Sequence, residues 1–436
     1  MASTGPSEDS TLRPQLGTFD AVATGLAAIL GAGIFAVISP ASAVAGPALL
    51  ISLGLAAFVA LCNALSSAQL AAILPRTGGT YEFGRRMLGD WWGYSAGWMF
   101  LAANTVGPGV IALAFGGYLH AAVGSVPIRD AAVGAALLMT AINAVGIRRS
   151  VGVTDVVVVL SVLSLLAVAV LGLPSVRAAN FSPFAPGGVV GTLRATGLLF
   201  FAYTGYSRIA TLVEEVQNPR RTIPRATVVA LGTATVIYIL VATTALGVLG
   251  SSSLSGSSSP LQSTMVAVGS SVGIAVVAAG ALLTTFNEGL SDLLGVSRVA
   301  FAMGRQGDMP PYLAKIGVQK NPWRSVLFVG AVAIVVAAFA PFEVAVAVSS
   351  FGTLLYYSVT NLSALRLRPN QRMFPAALAV AGLIGCLGLA FSLAPLDVAI
   401  GIAILIVGLL VRCVRLLSRG GFETRRRSDS NRRPTG

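Results

Sequence analysis

Charge is scarce in this chain. Asp, Glu, Lys and Arg make up 10% of its 436 residues, against about 25% in ordinary soluble domains. Histidine occurs once, at His120, and cysteine three times, at Cys62, Cys386 and Cys413, with no paired spacing. A single imidazole cannot assemble a metal cluster, and three scattered thiols give neither a disulfide framework nor a zinc site. The chain also lacks a Ser/His/Asp set and a nucleotide loop. "GAGIFA" has no preceding strand and no third glycine at the dinucleotide spacing. An enzyme is therefore not expected, nor are catalytic residues, metal ligands or a cofactor. The first 18 residues are polar and hold Pro6 and Pro14. They lack the basic start and short apolar core of a cleaved signal peptide, so none is expected.

What the chain has instead is apolar length: 55% hydrophobic residues and a mean hydropathy of +0.82. About 20 apolar residues cross a hydrocarbon core, and twelve runs qualify. They are 19–45, 48–74, 91–119, 127–147, 152–173, 190–215, 226–249, 264–300, 324–341, 344–365, 374–393 and 395–417. The first and eighth exceed one crossing and are expected to be tilted, broken or extended. In a soluble protein a net charge of +13 would suggest nucleic acid. Its distribution explains it better. With both ends cytoplasmic, 25 of the 29 Lys and Arg residues fall on the inner side. Arg129, Arg177 and Arg194 fall outside, and Arg208 within a span. That bias sets the orientation, in the plasma membrane, with a multi-pass chain and both termini cytoplasmic. The lipid bilayer is thus an expected partner and nucleic acid is not. The tail "RGGFETRRRSDSNRRPTG" reads as solvated near anionic lipid.

Two spans interrupt themselves. The first contains "GAG" at 31–33, and the sixth contains "FFAYTGYSR" at 200–208. Small residues alone can serve close helix packing. Two interrupted spans five helices apart point instead to inverted repeats around a midplane site. The expected fold is an all-α polytopic membrane protein of 12 transmembrane helices. It is a 5+5 inverted repeat with helices 1 and 6 broken, plus two appended helices. Residues 1–18 form a cytoplasmic tail, 19–173 the first repeat, 174–366 the second, 367–418 the last two spans, and 419–436 the basic tail.

Four motifs then carry a resemblance. "GAGIF" in the first span and "FFAYTGYSRIATLVEEVQNPRRTIPRA" at 200–226 resemble the amino acid–polyamine–organocation (APC) permeases. So do "LPRTGGTYEFGRRMLG" at 74–89 and "GVSRVAFAMGRQGDMP" at 295–310, in the family's order. The resemblance implies an amino acid held at the two breaks, where exposed N–H groups suit a carboxylate. It places the substrate carboxylate on the amides around Ala32, Gly33 and Ile34. The α-ammonium would meet the carbonyls of Ile29, Phe201, Ala202 and Thr204. Small side chains at Gly31, Ala32 and Gly33 allow close approach, and Phe201 and Tyr203 lie where the family has aromatic gates. Asn104, one turn before "GPG" at 107–109, reads either as a substrate contact or as an interhelical hydrogen bond. "GPG" itself reads as helix-breaking.

Ionisable residues inside the spans are the oddity. Glu288 and Asp292, at i and i+4, share one face of the eighth span, and neither can face lipid cheaply. Arg208 is the candidate cation for one of them, in a pair that either titrates during transport or is static. Some proton-coupled relatives carry a lysine in the fifth span, at the position that aligns with Ser161. Without it, Asp292, aligned near that region, is the candidate proton carrier or sodium ligand. The expected function is secondary active amino acid transport by alternating access, with proton-coupled import. An amine or polyamine carrier, an amino acid exchanger and a non-transporting membrane sensor are the alternatives. The expected partners are a small-molecule amino acid or amine and a coupling proton or sodium ion.

Overall fold

A computed structural model describes residues 17–74, 79–146, 151–206, 209, 216, 218–315 and 322–430, without side chains at 151–155, 219–220 and 418–430. Helices α1 (Thr18–Ile29), α2 (Ala32–Ala36) and α3 (Ile38–Ala45) carry the first apolar run, and α4 (Leu49–Ile73) the second. The short α5 (Gly79–Met87) precedes α6 (Asp90–Val123), α7 (Ile128–Val145) and α8 (Val151–Gly172). Next, α9 (Gly188–Leu199) passes directly into a 3-10 turn, Phe200–Tyr206. Then come α10 (Pro219–Ser255), α11 (Pro260–Val268), α12 (Ser271–Arg305), α13 (Trp323–Phe339), α14 (Phe342–Leu365), α15 (Ala376–Ser392) and α16 (Pro395–Ser430).

Among the described residues nine helices are long and apolar enough to cross a membrane, and α13 and α15 are shorter apolar helices. The sixth run is different: it holds α9, 12 residues long, and the 3-10 turn after it. The over-long eighth run divides into α11 and α12 at Gly269, whose φ of +76° favours glycine. Large apolar side chains such as Val170, Val189, Phe339 and Leu417 lie on the outside. Such a surface needs hydrocarbon around it rather than water. With every described helix hydrogen-bonded internally, this is a multi-pass membrane protein.

Burial ranks the helices. In the most apolar stretches of α6 and α14, 72% of residues are buried inside the protein, against 17% in α16. The first two form the centre and the last lies at the edge.

One expectation fails. The "GPG" at 107–109 does not break its helix, because α6 runs through Pro108 without interruption. Proline removes one backbone donor, and the glycines beside it leave room for neighbours. A methyl group at Gly107 would lie 2.8 Å from Asp292 Oδ2, and one at Gly109 would lie 2.6 Å from Val336.

Candidate substrate-binding site

The first span breaks over two residues. Helix α1 ends at Ile29, Leu30 turns with φ −74° and ψ 70°, and Gly31 is extended at φ −118° and ψ −163° before α2 begins. Those torsions are open to any residue, so the reason for glycine is space. A Cβ on Gly31 would overlap the Glu288 carboxylate of α12. That carboxylate, through Oε2, accepts the Ala32 amide N–H. The opening that the sequence reserves at Gly31 is thus filled by a side chain 257 residues away.

The second break packs on the first through backbone. A Cβ on Gly33 would overlap Ala202, and one on Gly205 would overlap the Ala28 carbonyl. Carbonyls freed at the breaks have side-chain donors. The Tyr238 hydroxyl of α10 lies 2.6 Å from Ile29 O and 3.1 Å from Ala202 O. Thr204 Oγ1 donates to Phe201 O at 2.9 Å, and Ser161 Oγ to Leu30 O at 3.2 Å. Tyr203 is fully buried with its ring 5.3 Å from that of Tyr238, and Phe201 is buried beside it. Ala32, Gly33 and Ile34 are buried as well.

The remaining candidates separate. Asp292 is turned toward Gly107 of α6, while Glu288 reaches Gly31 and Ala32. Ser161 is buried on α8, with its hydroxyl on Leu30 O at the first break. Asn104 donates its side-chain amide to Phe100 O, 2.8 Å away on its own helix. Arg208 lies outside the described residues, as do Ser207, Glu214 and Glu215. A cleft of about 350 Å³ lies beyond the first break, at the junction of α2 and α3, with Ala36, Ser39, Leu113, Arg129, Ser257 and Glu343 on its walls. Tyr238 escaped the sequence reading: it is one aromatic residue in an apolar run, and its partners are 209 and 36 residues away.

Residues 16–412 match the family described as amino acid permease. The chain belongs to this family, within the APC superfamily. An uncharacterized transporter of Mycobacterium tuberculosis is 44% identical over 95% of this chain and 94% of its own. A branched-chain amino acid permease of Bacillus subtilis is 26% identical over 93% of both chains. Human cationic amino acid transporter 4 is 31% identical over 85% of this chain and 63% of its own.

In this permease two of the motifs meet far from the breaks. Tyr81 of α5 donates its hydroxyl to either Gln306 or Asp308, just beyond α12. Arg85 Nη1 donates to Tyr81 Oη at 2.7 Å and to Gln306 Oε1 at 3.0 Å. Arg412 of α16 lies 3.8 Å from Asp308 and stacks over Tyr94 at 4.7 Å. Burial, and then the bond to Asp308, push the Tyr81 phenol above its ordinary range, so it remains a donor at physiological pH.

Proposed function

We propose that the chain is a secondary active amino acid transporter working by alternating access, with proton-coupled import into the cytoplasm. Twelve spans, in two inverted repeats of five and an appended pair, would carry it in the plasma membrane with both termini cytoplasmic. The supporting observation is the chemistry at the breaks. A carboxylate rests on the Ala32 amide, and a donor lies against the Ile29 and Ala202 carbonyls. An α-amino acid offers the same two groups on one carbon. The half-buried carboxylates of Glu288 and Asp292 favour a second reading, a cationic amino acid or amine as substrate.

The test is purified protein in liposomes, given labelled amino acids and amines under imposed pH or sodium gradients. Accumulation of a zwitterionic amino acid driven by the pH gradient is the expected result. Rapid exchange without accumulation under either gradient removes the symport reading, and binding without flux leaves a sensor. Coupling through these carboxylates fails if Asp292→Asn and Glu288→Gln each keep full uptake with an unchanged pH profile.

A further inference from the structure

The backbone exposed at the breaks has side-chain partners. Ala32 N–H is held by Glu288, Ile29 and Ala202 carbonyls by Tyr238, Leu30 O by Ser161 and Phe201 O by Thr204. Side chains from α12, α10 and α8 thus serve the backbone that the breaks expose. This has a consequence for the transport cycle. A carrier that alternates access passes through a state in which its site is closed to water on both sides. Each backbone group left unpaired there costs several kcal/mol. Where an empty site would leave them unpaired, only the loaded carrier crosses, and the protein is confined to exchange. Where the protein supplies its own partners, the unloaded carrier also returns, and net uptake follows.

We propose that Glu288 and Tyr238 are internal stand-ins for the substrate's carboxylate and ammonium, which the substrate displaces and which permit the unloaded carrier to return. The inference rests on the amino acid reading above and adds to it the side chains that let the unloaded carrier cross, without which the chain would be an obligatory exchanger. The geometry makes the stand-ins displaceable. The Tyr238 hydroxyl carries one proton and serves Ile29 O or Ala202 O at a given moment, with Ile29 O nearer at 2.6 Å against 3.1 Å. An ammonium carries three protons and serves both carbonyls together. The Glu288 carboxylate is also on a flexible side chain from another helix, so it can withdraw without disturbing α1 or α2. Gly31 is the residue that gives it access: with any Cβ there the carboxylate would be shut out. Asp292, one turn along α12, is turned to Gly107 and is not part of the pair.

The experiment compares two fluxes in proteoliposomes, with a mixture of the twenty tritium-labelled proteinogenic L-amino acids as probe. One is uptake into vesicles with no internal amino acid. The other is counterflow into vesicles preloaded with the same unlabelled mixture, which never requires an unloaded carrier to cross. Wild type is expected to show both. Glu288→Ala is expected to lower the ratio of net uptake to counterflow at least about tenfold, the worth of one charge-assisted hydrogen bond, whatever loss the two fluxes share. Glu288→Gln, nearly isosteric and still an acceptor, falls between, and Tyr238→Phe moves in the same direction. A parallel fall of both fluxes in all three variants, an unchanged net uptake, or a wild type that only exchanges would each overturn the proposal while the amino acid reading stands. If wild type moves none of the mixture in either mode, the amino acid reading falls and this inference falls with it.

Discussion

Gly31→Ala adds one methyl group to the first break, and the cost follows from what that methyl meets. Torsion contributes nothing, because φ −118° and ψ −163° are ordinary extended values. The added Cβ overlaps both carboxylate oxygens of Glu288 and leaves that side chain to give way. Its withdrawal breaks the charge-assisted bond to the Ala32 amide, a loss of about 1.5–3 kcal/mol, or roughly 10- to 100-fold in the rate of an unloaded crossing. The two positions should therefore depend on each other. In a Glu288→Ala background the methyl group finds empty space, and Gly31→Ala should add almost nothing. A double-mutant cycle on net uptake, measured in proteoliposomes, should therefore give a coupling energy of about 1.5–3 kcal/mol between residues 31 and 288. Additive effects, with a coupling within about 0.5 kcal/mol of zero, would show that Gly31 is required for something other than Glu288. A Gly31→Leu protein should insert and fold but lose substrate binding altogether, since the larger side chain occupies the break as well as excluding the carboxylate.

Other perturbations discriminate among the contacts. Gly33→Ala should abolish both net uptake and counterflow, because its Cβ overlaps the Ala202 backbone, with no flexible side chain to move; counterflow near the wild-type level would refute that contact. Ser161→Ala removes the hydroxyl 3.2 Å from Leu30 O and should cost about 1 kcal/mol, read as a lowered melting temperature in detergent. Tyr81→Phe should lower the melting temperature by removing the donor to Gln306 and Asp308, with a cost of about 1.5–3 kcal/mol. Because the folded phenol is held above its ordinary value, its contribution is complete below about pH 10. It is lost as pH rises beyond that point. Wild-type melting temperature should accordingly show no Tyr81-dependent change between pH 7 and 9, and a difference between wild type and Tyr81→Phe that grows over that interval would contradict the assignment.

The sequence was informative where local chemistry suffices. A pair of glycines inside an apolar run placed the first break within one residue, since helix propensity and the cost of unpaired backbone both act locally. "GPG" misled for a related reason. In water such a triplet ends a helix, but α6 is packed on most sides, and its neighbours hold it through the missing bond. The i, i+4 spacing of Glu288 and Asp292 reads as one shared face, yet four residues also turn a helix by about 40° beyond a full circle. That rotation sends one carboxylate to Gly31 and the other to Gly107. Tyr238 was not legible, because its partners are carbonyls on two other spans, and no local pattern marks a hydroxyl that will meet them.

The glycines divide by what they admit, and the division bears on how the site moves. Gly33 and Gly205 admit backbone: each lets one broken span touch the main chain of the other, at Ala202 and at Ala28. Such contacts have no rotamers and little freedom, so the two breaks are held together as a unit. Gly31 and Gly107 admit carboxylates instead, from Glu288 and Asp292, at the ends of flexible side chains. On the proposed function, the rigid contacts would fix where a ligand is bound, and Glu288 would stand in its place between cycles. A membrane protein with so few charges has set two of them against glycines on the spans around its breaks. In hydrocarbon a charge is costly to keep, which is why these two carboxylates are the first to replace in a transport assay.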